Sequence, residues 1–133
     1  MERPLAERPL AQRIARFWLP VLVYLAGIFT LSAQPHLRAP IEFPDSDKLY
    51  HLMEYGGLGW LLARAFHDAL PGKPWWRRAL IAIGVGIVIA ACDELFQSTV
   101  PGRESSVFDA LADTLGVATA QWLYRRIRLR AGR

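Results

Sequence analysis

The chain holds a single cysteine, Cys92, in 133 residues. An intrachain disulfide framework and a cysteine-based zinc knuckle are therefore excluded. It has no Gly-rich phosphate loop and no nucleophile elbow, so nothing marks a motif-borne nucleotide or hydrolase chemistry. Internal repeats and low-complexity segments are also absent. Charge is missing from the 17 residues Phe17 to Ala33 and from the 14 residues Ala79 to Cys92. No small-residue cleavage site follows a short N-terminal apolar region, which predicts a retained first span and not a signal peptide.

What is present is apolar sequence with charge sorted by position. Hydrophobic residues make up 53% and charged residues 21%, an average between soluble and membrane classes. The length predicts one domain, residues 1–133. Four apolar segments read as helices, at about 17–33, 49–70, 79–98 and 107–124. Breakers fall between them: Pro35, Pro40 and Pro44; Pro71, Gly72 and Pro74; Pro101 and Gly102. The predicted fold is all-α, a four-helix transmembrane bundle.

The basic residues separate that reading from a soluble bundle. Arg3, Arg8, Arg13 and Arg16 precede the first helix, Lys73, Arg77 and Arg78 join the second and third, and Arg125, Arg126, Arg128, Arg130 and Arg133 follow the fourth. Twelve of the 16 basic residues thus fall on one side, against Arg38, Lys48 and Arg103 on the other. Arg64 lies within the second helix, near its inner end, where it can snorkel. All loops obey the positive-inside rule with both termini cytoplasmic. Trp18, Trp75, Trp76, Trp122 and Tyr124 gather at the same inner ends, as an interfacial belt would. Arginines there meet anionic lipid, so the basic balance requires no nucleic acid.

The polar residues sort to the opposite, outer leaflet. Nine acids lie there: Glu42, Asp45, Asp47, Glu54, Asp93, Glu94, Glu104, Asp109 and Asp113. Asp45, Asp47 and Glu104 read as solvated, whereas Asp93, Glu94 and Asp113 lie a turn or more inside apolar segments. Ionisable groups within spans usually face the bundle interior and mark function. Helical spacing agrees. Ala82, Gly86, Ala90 and Glu94 form one stripe with Gln97 beyond it. His51, Tyr55, Gly59 and Ala63 form a second, and Asp109 and Asp113 lead to Gly116 and Ala120 in the third. Small residues at this spacing permit close helix approach in lipid. Like charges so placed cannot all stay ionised cheaply, so at least one of Asp93, Glu94 and Asp113 is expected to be protonated or paired with Arg103, Lys48 or His51.

These residues carry a resemblance. Asp93-Glu94-Leu95-Phe96-Gln97, then Val100-Pro101-Gly102-Arg103, then Asp109 resembles the D-E-x-x-Q-x-x-x-P-G-R signature of the VanZ-like family. Ser32-Ala33-Gln34-Pro35 is similar to its S-x-Q-P turn, and Asp47-Lys48 with His51 and Tyr55 to its D-K-x-x-H-x-x-x-Y element. Asp113 stands where the family pattern has an asparagine, with Gly116 following as in the pattern. The resemblance covers Trp18 to about Gly116. It implies a small multi-pass protein of the bacterial plasma membrane, in a family named for a protein linked to teicoplanin resistance.

Three functions compete. In the first, an outer polar site engages an amphiphile: a membrane lipid, a lipid-linked envelope intermediate or a lipoglycopeptide. Gln34, Lys48, His51, Glu94, Gln97, Arg103 and Asp109 are its candidate ligand-binding residues, with Asp93 and Asp113 as structural polar groups. Arg103 offers a two-pronged donor for phosphate or carboxylate, and Pro101-Gly102 sets the turn that presents it. The rival role for Arg103 is an ion pair with Glu94 or Asp109 that steadies the hairpin. In the second, a membrane-embedded enzyme acts on a phospholipid or polyprenyl phosphate, with His51 as acid or base and Glu94 orienting it. Its metal variant would use His51 with Asp93, Glu94 or Asp109, but no helix carries a metal-ligand spacing, so no metal and no cofactor is expected. The third, a transporter subunit, is disfavoured by acids confined to one leaflet.

Overall fold

The computed structural model describes residues 9–35, 41 and 44–131. Among them are four α-helices and no strand: α1 Leu10–Ser32, α2 Ser46–Ala69, α3 Trp75–Gln97 and α4 Val107–Ala131. At 1.5 Å per residue each is about 35 Å long, against a hydrocarbon core of about 30 Å. Arg3, Arg8, Arg38, Glu42 and Arg133 of the charge argument lie outside the described residues.

The helices begin and end at backbone signals, not where hydropathy falls off. α1 starts directly after Pro9, whose carbonyl accepts the amides of Gln12 and Arg13 at 2.9 and 3.2 Å. It is thus longer at its N-terminal end than the apolar run. α3 starts after Pro74, so Trp75, Trp76, Arg77 and Arg78 form its first turn instead of a loop. α4 runs seven residues past Tyr124 and carries Arg125, Arg126, Arg128 and Arg130 on helix.

The helices run up and down. At one end the α1 C-terminus, α2 N-terminus, α3 C-terminus and α4 N-terminus meet, where Ser32, His51, Gln97 and Asp113 are in contact. At the other end Arg13 of α1 clamps Asp68 of α2, with Nε 3.2 Å from Oδ1 and Nη2 donating to the Asp68 carbonyl at 2.9 Å. Arg78 and Arg128 both reach His67 there, and Arg125 lies over the Trp75 ring at 4.1 Å. Arg13, Arg78, Arg125, Arg128 and Trp75 therefore share one end, and the buried acids the other.

α2 and α4 form the central pair, brought close by glycine. A Cβ on Gly59 would lie 2.7 Å from Val117 Cα, and one on Gly116 would meet the Leu52 carbonyl oxygen and sit 2.8 Å from Gly56 N. α3 packs on this pair through buried Ala82, Gly86 and Ala90. α1 lies against α2, with Trp18 edge-on to Phe66 at 5.3 Å.

The exterior is apolar. Leu22, Val23, Leu80, Val88, Leu95, Phe108 and Leu115 are all exposed, while Asp93, Glu94, Asp109 and Asp113 are buried. That inverts the usual distribution of a water-soluble bundle. α1 and α3, 23 residues each, are long and apolar enough to cross a membrane. Only 11% of the most apolar stretch of α1 and 33% of that of α3 is buried within the bundle, whereas the core helix of a soluble fold is mostly buried.

Candidate functional site

The polar end is assembled from four helix termini. In α3, Asp93, Glu94 and Gln97 fall within the last turns and are buried. In α4, Asp109 and Asp113 are one turn apart and buried. In α2, His51 and Tyr55 are likewise one turn apart. Residues at that spacing project from one helix face, so α2 and α4 each deliver two groups to the same place, and α3 delivers three.

Two hydrogen-bond clusters result. His51 Nδ1 lies 3.0 Å from Asp113 Oδ1 and 4.0 Å from Glu94 Oε1. Deeper, Asp93 Oδ2 accepts the Tyr55 hydroxyl at 3.3 Å and Gln97 Nε2 at 3.1 Å, and Gln97 Nε2 also reaches Ser32 Oγ at 3.2 Å. Tyr55 is fully buried and ties α2 to α3.

The α3–α4 connection is a turn built for delivery. Val100 O accepts Arg103 N at 3.2 Å, and Gly102 between them has φ +76°, with Pro101 ahead of it. Proline followed by a left-handed residue suits a type II turn, and glycine adopts that conformation without a Cβ clash. The chain then brings Ser106 N to Glu94 Oε2 at 2.8 Å. Ser106 Oγ accepts Phe108 N at 3.1 Å and so caps α4. One Glu94 oxygen is thereby held by a backbone amide at a helix N-terminus, which favours negative charge there.

The other oxygens are unpartnered. Among the described residues, Glu94 Oε1, Asp109 Oδ1, Asp113 Oδ2, Asp93 Oδ1 and Arg103 Nε are buried without a hydrogen bond. One ligand atom each from His51, Glu94 and Asp109 lies within 4.8 Å of the others, which makes these three the residues able to hold a metal ion.

Beside the cluster runs an open groove of 960 Å³. Pro20, Val23, Gly27, Ile28 and Leu31 of α1 and Met53 and Leu61 of α2 form its apolar length. Ser32, Asp47, His51, Glu54 and Arg103 crown it. The acidic cluster and the groove share His51.

The structure sorts the candidate residues as follows. His51, Glu94, Gln97 and Asp109 come together with Asp93 and Asp113 at the buried end. Arg103 stands at the groove mouth and makes no ion pair with Glu94 or Asp109 among the described residues. Lys48 does not join the cluster: its ammonium bonds exposed Asp45 and Asp47 at 3.0 and 3.3 Å. Gln34 is exposed beyond α1 and makes no side-chain hydrogen bond among the described residues, and Ser32 occupies the inward place in that turn. Asp113, and not Glu94, is the nearest partner of His51, because Asp113 lies across the close α2–α4 interface. The asparagine position of the family pattern thus holds the acid that meets the histidine. Tyr24 was not signalled by sequence. Its hydroxyl donates to the Glu54 carbonyl at 2.9 Å and fills the space over Gly57.

Residues 7–128 match the family described as VanZ/LLP1. The chain belongs to that family. The match takes in all four helices up to Arg128, so the polar end of this VanZ/LLP1 protein lies wholly within it. No curated protein and no solved structure matches the chain.

Proposed function

We propose that this VanZ/LLP1 protein is a multi-pass protein of the bacterial plasma membrane that binds an amphiphile with an anionic headgroup. Both termini are cytoplasmic, and the polar end lies at the outer leaflet. The observation that carries the reading is the 960 Å³ groove, apolar along α1 and α2 and crowned by Arg103 and His51. An acyl or polyprenyl chain lies along the apolar length. The headgroup meets Arg103, whose guanidinium makes no ion pair within the described chain and offers forked donors to phosphate or carboxylate. The basic, tryptophan-lined opposite end supports the orientation, since cationic residues favour the cytoplasmic face. A membrane lipid, a lipid-linked envelope intermediate and a lipid-tailed glycopeptide such as teicoplanin all have this build. Lipid mass spectrometry on protein purified in mild detergent tests it. A co-purifying anionic amphiphile that is lost in Arg103→Ala supports the reading. Equal retention by wild type and variant overturns it.

A second reading is favoured by the 3.0 Å contact of His51 with Asp113. A carboxylate that fixes an imidazole prepares it for general acid–base work, here on a phospholipid or polyprenyl phosphate. Turnover of a labelled polyprenyl phosphate by the purified protein, abolished in His51→Gln, supports catalysis. Binding without turnover leaves the binding protein.

A further inference from the structure

Four carboxylates, those of Asp93, Glu94, Asp109 and Asp113, are buried at one end of the bundle. Among the described residues none of them ion-pairs with a lysine or arginine, and the one basic group within 4.0 Å is the imidazole of His51. Buried charge without a partner is costly, and several of these oxygens also lack a hydrogen bond. Asp113 Oδ1 has His51 and Asp93 Oδ2 has Tyr55 and Gln97, while Asp113 Oδ2 and Asp93 Oδ1 have no hydrogen bond. Asp109 Oδ1 and Glu94 Oε1 have none, although their residues are only 5% and 8% exposed.

We propose that His51, Glu94 and Asp109 bind a divalent cation of the hard, oxygen-preferring class. Ligand atoms bonded at about 2.1–2.4 Å and placed opposite one another lie about 4.2–4.8 Å apart. The three available atoms all fall within 4.8 Å of each other, inside the span that opposite ligands of one ion cover. Glu94 is already oriented for this. Its Oε2 is held by Ser106 N at 2.8 Å, leaving Oε1 free on the side of His51 at 4.0 Å. Asp113 Oδ1, 3.0 Å from Nδ1, orients the ring through that nitrogen, and Nε2 is then the one left for the ion. Two carboxylates and one imidazole suit Mg²⁺ or Mn²⁺ better than a thiolate-seeking metal. His51 also lines the groove, which gives the ion a route in and leaves its remaining positions to water. The ligands come from α2, α3 and α4, so no spacing within one helix betrays the site. The site needs no amphiphile and stands or falls apart from the groove reading.

The test uses the full chain, stripped with EDTA and held in a phosphate-free non-ionic detergent without added lipid. Mn²⁺ is titrated in, and free ion is read by electron paramagnetic resonance. One Mn²⁺ per chain is expected, displaced by excess Mg²⁺. Glu94→Gln and Asp109→Asn should each weaken it about tenfold or more. Asp45→Asn, which removes an exposed acid outside the groove, should leave it unchanged. Electron spin echo modulation of Mn²⁺ on the wild-type protein should show a coupled nitrogen from His51, a readout that needs no variant to fold. Absence of stoichiometric Mn²⁺, absence of the nitrogen coupling, or equal weakening by Asp45→Asn would overturn the proposal.

Discussion

Replacing Gly116 by alanine adds one methyl group at the tightest backbone contact between α2 and α4. That Cβ would collide with the Leu52 carbonyl oxygen and lie 2.8 Å from Gly56 N. Both are backbone atoms of α2, so no side chain can turn away, and the two helices must separate. Overpacking of this kind costs about 1–3 kcal/mol. Gly84 supplies the control, because a Cβ there meets nothing within 4 Å. Gly84→Ala should be neutral or should gain up to about 1 kcal/mol from helix propensity. Thermal unfolding in detergent, followed by circular dichroism, should therefore lower the midpoint for Gly116→Ala by several degrees and leave or raise it for Gly84→Ala. The separation also acts on the site, since His51 and Asp113 face each other across the same interface at 3.0 Å. Mn²⁺ binding should weaken with the midpoint. An unchanged midpoint in Gly116→Ala would refute the claim that glycine contact sets the α2–α4 distance.

Further outcomes follow from the same geometry. Green fluorescent protein fused after Arg133 should fluoresce, and alkaline phosphatase fused there should be inactive; active phosphatase would reverse the proposed orientation. Tyr55→Phe removes one of two donors to Asp93 Oδ2, with Gln97 Nε2 remaining, and should destabilise by about 0.5–1.5 kcal/mol, the net worth of one hydrogen bond, read as a lower unfolding midpoint. Asp68→Ala removes the carboxylate facing Arg13, an ion pair with both side chains partly exposed, and should cost no more than about 1 kcal/mol in the same assay. Expression in a susceptible Gram-positive host should reduce sensitivity to teicoplanin more than to vancomycin, which lacks the acyl chain. Arg103→Ala should abolish that protection and Arg103→Lys restore part of it, because an ammonium lacks the planar fork; equal protection by all three at matched abundance would separate Arg103 from the effect.

The four helices were legible because two independent signals coincide. Long apolar segments alternate with proline and glycine clusters, and neither pattern suits a sheet. Their ends were less legible, because hydropathy and helix formation answer to different physics. Apolarity records which residues avoid water, whereas a helix continues until its backbone is interrupted. α4 therefore carries its arginines seven residues beyond Tyr124, and α1 reaches back to Pro9. Arg77 and Arg78 sit on the first turn of α3 for the same reason.

At the site, faces were legible and partners were not. The stripes through Ala82, Gly86, Ala90 and Glu94, and through Tyr55, Gly59 and Ala63, are buried along their lengths, since a period near four fixes which residues share a side. Nothing in that period says which acid meets His51. Asp113 lies 62 positions away and Glu94 lies 43 away, and the choice between them depends on how closely α2 approaches α4. That distance is set by Gly59 and Gly116, two residues with no polar atom in their side chains. Lys48 shows the converse. Its sequence neighbours Asp45 and Asp47 compete for it at 3.0 and 3.3 Å, and an exposed local pair needs no burial of charge to form. Arg103, carried on a turn whose own acid Glu104 is exposed, has no such local claimant. Of the described lysine and arginine side chains at the polar end, it is the one that lines the groove.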